Sequence, residues 1–319
     1  MSGSNDHIGA AARRYGKATI DEAAARLRDG GLVAVPTETV YGLAADSTNA
    51  AAVAAIYRAK GRPDFNPLIV HVPDLEAART LGQFNELAVR FATAFWPGPL
   101  TLVVPKTDAC PVAAAVTAGL DTIALRVPAH PVMRALLDAS GLCLAAPSAN
   151  CSGGISPTTA DHVSRSLGKA APLILDGGPC ERGIESTIVA IDGANYRILR
   201  PGPVTAVELE EIAGKAANIV DDNKIEAPGQ LASHYAPSKP VRLDAHSALA
   251  DEYHIGFGVV AGDMNLSEGS DLAEAASRLF AALHQADASE KPKIAVAPVP
   301  DTGLGLALND RLRRAATPK

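Results

Sequence analysis

Two cations two residues apart, Lys60 and Arg62, lie in a stretch that also carries Thr37, Thr39, Asn66 and His71. Hydroxyls, an amide and cations, without a cluster of acids, describe a site for an anion. Arginine forks onto phosphate or carboxylate through two parallel hydrogen bonds, and lysine adds a compact charge. The competing reading makes Lys60 and Arg62 solvated charges that favour the C-terminal end of a helix. A polar loop ahead of that helix and a histidine within a strand weigh against it. Further on, Thr122 and Arg126 share one face of an alternating strand whose other face is Ile123, Leu125 and Val127. An arginine directed off a strand beside a threonine usually has an anionic partner; an exposed strand face is the alternative. Ser148 and Asn150 follow a short apolar strand and lead into Cys151-Ser152-Gly153-Gly154-Ile155-Ser156. Backbone N–H groups of such a loop can cradle phosphate oxygens, although composition alone also fits an ordinary Ser/Gly loop. Ser186 stands at a third entry into a strand, and Arg200-Pro201-Gly202 closes the hairpin that follows.

The elements that must position these groups alternate between strand and helix. Leu32 to Val35 is an apolar run that feeds a polar loop ending in Gly42. A helix over 49–60 follows, with Asn49 as N-cap and Gly61 just past the end, and then a strand over 68–72. Thr19 and Glu22 read as a capping box for a helix over 20–28. Helices are expected at 75–81 and 86–95, a strand at 100–104, and the Arg126 strand at 122–128. His130-Pro131 opens a helix to 139, a buried strand spans 142–146, and Thr158 or Thr159 caps a helix to 167. Strands at 173–176, 183–189 and 196–199 and a helix from Thr205 to 213 complete a first unit. Strands near 241–243, 255–260 and 294–299 and an amphipathic helix over 271–286 form a second, smaller α/β unit. Gly256-x-Gly258-x-x-Ala261 fits a dinucleotide fingerprint superficially, but its glycines fall inside the expected strand instead of after it, so it is rejected as a cofactor site.

Composition narrows the classes. The chain has 319 residues, 47% of them hydrophobic and only 4% aromatic, so Ala, Val, Leu and Ile must build its cores. A net charge of −6 argues against a general nucleic-acid-binding surface. The cysteines, Cys110, Cys143, Cys151 and Cys180, show no metal-type C-x-x-C spacing. There is no apolar run of membrane-spanning length and no signal-peptide pattern, which makes the cytoplasm the expected location.

Val35 to His71, read as Pro-Thr-Glu-Thr-Val-Tyr-Gly-Leu and then Lys-Gly-Arg-Pro-Asp-Phe-Asn-Pro-Leu-Ile-Val-His, closely resembles the YrdC-like domain of L-threonylcarbamoyladenylate synthases. The Ser148-x-Asn150 loop, Ser186-Thr187-Ile188 and Arg200-Pro201-Gly202 extend the resemblance over roughly residues 17–213. The linker motif His234-Tyr235-Ala236-Pro237 resembles the long, two-domain form. The resemblance implies an α/β fold: a YrdC-like twisted mixed sheet with flanking helices, plus a smaller C-terminal Rossmann-like α/β domain. Its parts would be a flexible N-terminus (1–16), a catalytic domain (17–213), a linker or lid (214–240) and the C-terminal domain (241–319).

The resemblance also implies a nucleotidyltransferase that makes threonylcarbamoyl-AMP and pyrophosphate from L-threonine, bicarbonate or CO2, and ATP. The product would pass to a separate complex that modifies tRNA. Carried over residue by residue, it assigns L-threonine to Thr37, His71, Arg126, Ala146 and Ser186. ATP falls to Lys60, Arg62, Asn66, Thr122, Ser148, Asn150, Ser156, Arg200 and Tyr235, with Lys60 and Arg62 as the catalytic cations. Magnesium would arrive with ATP; no protein metal site, no membrane and no stable nucleic-acid binding are implied. Leu231 and Ser233 stand where the family linker usually has basic residues, so charge from the linker is not expected. Two other classes compete: a non-catalytic YrdC-like module that grips double-stranded RNA, and a carbamoyl-phosphate-using relative. The acidic balance disfavours the first. The second would need acylphosphatase and zinc-finger regions that this chain lacks.

Overall fold

The computed structural model describes residues 12–216, 218–219, 226–228 and 234–317. The first unit opens β1 (Ala12–Arg14), α1 (Lys17–Arg28), β2 (Val33–Pro36), β3 (Tyr41–Asp46), α2 (Ala50–Lys60), β4 (Ile69–His71), α3 (Leu75–Leu81), α4 (Glu86–Phe95), β5 (Leu100–Pro105) and β6 (Thr122–Arg126). It continues α5 (Pro131–Ser140), β7 (Leu144–Ala145), α6 (Ala160–Leu167), β8 (Leu173–Asp176), β9 (Thr187–Asp192), β10 (Asn195–Arg200), α7 (Ala206–Ala213) and β11 (Asn218–Ile219). Among the described residues these strands form one mixed sheet in the order β1-β8-β2-β3-β7-β4-β6-β5-β9-β10-β11. The second unit holds β12 (Val241–Arg242), β13 (Glu252–Gly256), β14 (Met264–Asn265), α8 (Leu272–Ala288), β15 (Lys293–Val296) and α9 (Gly305–Ala316). Its sheet is parallel throughout, in the order β12-β15-β13-β14. The chain is therefore the expected mixed α/β fold with a second, smaller α/β unit.

Local chemistry sets the ends of the helices that matter for the site. The Asn49 side chain accepts from the N–H groups of Ala51 and Ala52 at the start of α2, and Gly61 takes a left-handed conformation at its end. Both cations that flank that turn, Lys60 and Arg62, are buried. Thr205 and Glu208 form a capping box on α7.

Several expectations need correction. Residues 12–14, placed in a flexible lead, pair in parallel with β8. The N-cap of α1 is Gly16, and Thr19 sits three residues inside the helix, bonding back to the Gly16 N–H. Glu22 instead pairs with Arg13. The loop said to end at Gly42 is shorter, because β3 begins at Tyr41 and pairs antiparallel with β2. In the second unit β13 ends at Gly256, so Gly258 lies beyond the strand, in a turn with φ +58°. The chain then continues into β14 without opening a helix, and the dinucleotide fingerprint still fails, for that reason. Helix α9 was not anticipated.

The two units share a core. Val40, Ile155 and Ile184 of the first unit and Tyr235 of the linker lie in one buried cluster with Leu279, Phe280, Leu283, Leu308 and Leu312 of the second. At the seam, Gly183 has φ +68°, and a Cβ there would come within 2.4 Å of the Ala276 carbonyl oxygen in α8. We expect Gly183→Ala to lower stability by about 1–3 kcal/mol through overpacking, beyond the cost of the left-handed backbone. Gly141→Ala is the control, with φ +67° and open space around the added methyl. Urea midpoints of the two variants check this; equal shifts would mean that the seam tolerates the methyl.

Candidate functional site

Loops at the ends of β2, β4, β6, β7, β9 and β10 meet in a cleft lined by Thr37, Arg62, His71, Arg126, Ser148 and Arg200, among others, and roofed by His234 and Tyr235. Thr37 Oγ1 accepts from the N–H groups of Thr39 and Val40 and hydrogen-bonds Thr39 Oγ1 at 2.8 Å, which fixes a tight turn between β2 and β3. Parallel pairing of β4 with β6 puts His71 beside Arg126. Arg126 is buried; Nη2 donates to Glu38 Oε1 at 2.6 Å, Nη1 to Thr39 Oγ1 at 3.0 Å and Nε to the Gly98 carbonyl at 3.2 Å. The anionic partner expected for this arginine is thus present inside the protein, as Glu38. Ser186 Oγ hydrogen-bonds Thr101 Oγ1 at 2.7 Å, and the Arg200 guanidinium donates to both the carbonyl and the hydroxyl of Ser186.

Lys60 and Arg62 are buried, not solvated. Lys60 Nζ donates to the carbonyls of Ser148 and Asn150, both at 2.5 Å. Arg62 donates to the carbonyls of Asn66 and Pro67. These bonds tie the helix end to the Ser148–Asn150 loop while leaving the charges uncancelled. Burial, with the Arg62 charge added to it, holds the Lys60 ammonium well below the ordinary lysine range. Burial also brings Arg62 down to about 10 and lowers Arg200. His71 falls to about 3, first through burial and then through Arg126, so it is a neutral imidazole at physiological pH. His234 is held well below its ordinary range by burial and by the charges of Arg62, Lys60, Arg200 and Arg311. These cations repel one another in a low-dielectric setting, and an anion is the group that relieves them.

A second signature is the set of buried polar atoms without partners. Asn66 Nδ2 and Oδ1, His71 Nδ1, Asn150 Oδ1, His234 Nδ1 and the Tyr235 hydroxyl lack hydrogen bonds among the described residues. Each such group costs free energy unless something satisfies it, so their concentration at one place marks a site built to receive polar atoms.

Of the residues expected at the site, Thr37, Arg62, His71, Arg126, Ala146, Ser148, Ser186, Arg200 and Tyr235 line the cleft. Lys60, Asn66 and Asn150 lie behind this lining, Lys60 held by the Ser148–Asn150 loop. Ser156 Oγ donates to Glu185, a cleft residue, at 2.5 Å. Thr122 opens β6 at the end opposite Arg126, pairs with Pro105, and is not brought to the cleft. Leu231 and Ser233 lie outside the described residues. Two residues of this neighbourhood were passed over: Glu38, between the two threonines of the first motif, and Glu185, next to Ser186. Both were legible as acids flanked by site hydroxyls.

A family profile described as "Telomere recombination", covering Sua5, YciO and YrdC, matches residues 25–202. A second, described as "Threonylcarbamoyl-AMP synthase, C-terminal domain", matches residues 204–317. A Bacillus subtilis threonylcarbamoyl-AMP synthase is 42% identical, over 93% of this chain and 92% of its own. A shorter threonylcarbamoyl-AMP synthase from Halorhodospira halophila is 40% identical over 57% of this chain and 93% of its own. The crystal structure of Pyrococcus abyssi Sua5 complexed with L-threonine superimposes with a TM-score of 0.86 at 36% identity, covering 96% of each chain.

Proposed function

The chain belongs to the threonylcarbamoyl-AMP synthase family, and from that membership we propose that it joins L-threonine, a one-carbon unit from bicarbonate or CO2, and ATP into threonylcarbamoyl-AMP. The amine lone pair of threonine attacks the carbon of CO2, a C=O π pair moves onto oxygen and the nitrogen loses a proton to solvent, giving a carbamate; bicarbonate must first lose hydroxide, which leaves as water once protonated. A carbamate oxygen then attacks the α-phosphorus in line, the bond to the bridging oxygen breaks, and pyrophosphate leaves with its electrons. Such chemistry asks for positioning and charge neutralisation more than for a covalent nucleophile. The observation that carries the reading is the set of buried arginines, Arg62, Arg126 and Arg200, that line one cleft together with the partnerless polar atoms of His71, His234 and Tyr235.

Thr37, His71, Arg126, Ala146 and Ser186 are the proposed contacts of L-threonine. Three of the five N–H donors of Arg126 are engaged, which leaves two for the threonine carboxylate. Lys60, Arg62, Asn66, Ser148, Asn150, Ser156, Arg200 and Tyr235 are the proposed contacts of ATP, with Lys60 and Arg62 neutralising charge as the phosphoryl group transfers; Thr122, at the far end of β6, is dropped from that set. Glu185, the carboxylate that lines the cleft, is engaged by Arg311 and Ser156, and Glu38 beside it by Arg126. A magnesium ion would therefore be carried by phosphate oxygens and water, as Mg²⁺ commonly is.

The cleft under His234 and Tyr235 holds about 50 Å³, well short of the roughly 300–1,000 Å³ of small-molecule sites. The segment must lift to admit a nucleotide, which supports a lid. The product would serve a tRNA-modifying complex in the cytoplasm; among the described residues no helix is long and apolar enough to cross a membrane. A role restricted to gripping double-stranded RNA draws no support from relatives named as synthases over most of their length.

Incubation with ATP, L-threonine and labelled bicarbonate should give a threonine-dependent labelled adenylate and an equal amount of pyrophosphate. Absence of that product from folded protein would overturn the reading. Lys60→Ala and Arg62→Ala should each weaken ATP by roughly ten- to a hundred-fold while adenosine, which has no phosphate, changes little. Because a bound polyphosphate raises the depressed Lys60 pKa, ATP binding should take up a proton at pH values between the free and the bound pKa, and affinity should fall as pH rises through that window. Competition binding checks the first point and titration calorimetry in buffers of different ionisation enthalpy the second. Equal losses for ATP and adenosine would remove the phosphate role.

A further inference from the structure

The contacts proposed so far come from the first unit and from the segment that ends at Tyr235. One charged side chain of the second unit reaches the same place. Arg311 lies on α9 between the buried Leu308 and Leu312, and its side chain is fully buried, at 0% exposure. Its Nε donates to Glu185 Oε2 at 3.1 Å across the seam between the units. Its Nη1 donates to the Pro201 carbonyl at 2.7 Å and to Asp310 Oδ2 at 2.9 Å. Its guanidinium carbon lies 5.4 Å from the centroid of the Tyr235 ring, within cation–π range. Nη2 has no partner among the described residues.

Glu185 is what makes this arrangement bear on the reaction. It lines the cleft, its other oxygen accepts from Ser156 Oγ at 2.5 Å, and it precedes Ser186, which holds Arg200. A buried carboxylate in a cleft that must take a polyphosphate would repel it. Burying a guanidinium is itself costly, and a seam already built of leucine, phenylalanine and alanine needs no charge for adhesion. Arg311 shares its charge with Asp310, its neighbour on α9, but Asp310 also pairs with Arg314; Glu185 is the carboxylate across the seam, in the cleft, that Arg311 cancels.

We infer that Arg311 is a positioning residue for adenylate formation: the second unit inserts it across the seam to neutralise Glu185 and to hold Ser156 and the Tyr235 ring against the nucleotide. The inference rests on the synthase reading. It gives the second unit a part in the reaction beyond covering the first.

The test measures KM for ATP and for L-threonine, together with thermal stability, in the full-length chain. Arg311→Met should raise KM for ATP by roughly ten- to a hundred-fold, the effect of one uncancelled charge near the phosphates, with KM for L-threonine within about threefold of wild type. Arg311→Lys keeps the charge and should recover most of the ATP affinity. Adding Glu185→Gln to Arg311→Met removes the repelling carboxylate and should recover both stability and ATP affinity. A merely structural role would lower stability and the active fraction while leaving both KM values in place. An Arg311→Met chain with wild-type KM for ATP, or a double variant that regains stability without ATP affinity, overturns the inference. Failure of all three variants to fold makes Arg311 a folding residue and overturns it as well. Wild-type protein that forms no adenylate would instead sink the synthase reading, so the two failures are distinguishable.

Discussion

Replacing Arg126 with alanine is expected to cost about 3–5 kcal/mol of stability at neutral pH and to weaken L-threonine, in the folded fraction, by roughly ten- to a hundred-fold. The two effects have one origin. Arg126 and Glu38 are a buried pair at 2.6 Å, with side chains 4% and 7% exposed, and Glu38 Oε2 also accepts from the Ala129 N–H. Burial pushes the Glu38 carboxyl up, but the charge and hydrogen bond of Arg126, together with backbone N–H bonds, more than offset this, and its pKa lies below the usual range. In the native protein that contribution is present above the unfolded pKa and is lost as pH falls through the lower folded value. Without Arg126 only burial and the backbone bonds remain, and the folded pKa rises above the unfolded one. The penalty in the variant is then largest at neutral pH and shrinks as acid protonates Glu38. Urea titrations at pH 7 and pH 5 should show the gap between variant and wild type narrowing at the lower pH. Calorimetry with L-threonine and with ATP tests the other half; equal weakening of both ligands removes Arg126 from the amino-acid site.

Glu38 also marks the limit of what the sequence discloses. The alternation around Arg126 followed from period and is seen in the structure, with Ile123, Leu125 and Val127 in one core cluster and Ala124 in another; the anion beside Arg126 is the protein's own Glu38. Which anion pairs with it depends on β2 and β6 being held within reach of each other through β3, β7 and β4, and nothing local in Pro-Thr-Glu-Thr reports that. The helix from Ala50 to Lys60 was readable to within one residue, because Asn49 and Gly61 are strong end signals. Burial of Lys60 was not, since its partners are carbonyls of a loop about ninety residues away. Helix α9 carried a usable signal, Leu304, Leu308 and Leu312 at four-residue spacing, that went unread behind the stronger stripe of α8. With it went Arg311, whose importance only the packing of two units reveals. Thr122 shows the reverse case: sharing a strand face with Arg126 placed it on the right side of the sheet, yet four residues of extended chain, roughly 13 Å, separate the two.

A chain ending at Ala213 is expected to fold and to form adenylate on the order of a hundredfold more slowly than the full chain. The short Halorhodospira relative spans little more than the first unit, so a first unit able to fold alone is a reasonable design. In this chain, however, truncation removes three things together. It exposes Ile155 and Ile184, which sit in the same buried cluster as Leu279 and Phe280. It deletes Tyr235, which packs 5.5 Å from the Phe280 ring. It also leaves Glu185 without Arg311. If the linker acted only as a cover that excludes water from a reactive mixed anhydride, most of the defect would trace to residues 227–237. We expect the defect to divide differently, because the second unit packs on the cover: Tyr235 lies 5.5 Å from the Phe280 ring and under the Arg311 guanidinium at 5.4 Å. Full-length Tyr235→Ala keeps the Glu185–Arg311 pair and should therefore lose less than the truncation does. Circular dichroism establishes that the truncated chain is folded, and rates of adenylate formation and of adenylate hydrolysis are then compared across wild type, truncation and Tyr235→Ala. A folded truncation with wild-type rates would reduce the linker to a tether and leave the second unit without a role in catalysis. Equal losses in the two variants would return the whole effect to Tyr235 and take it away from Arg311.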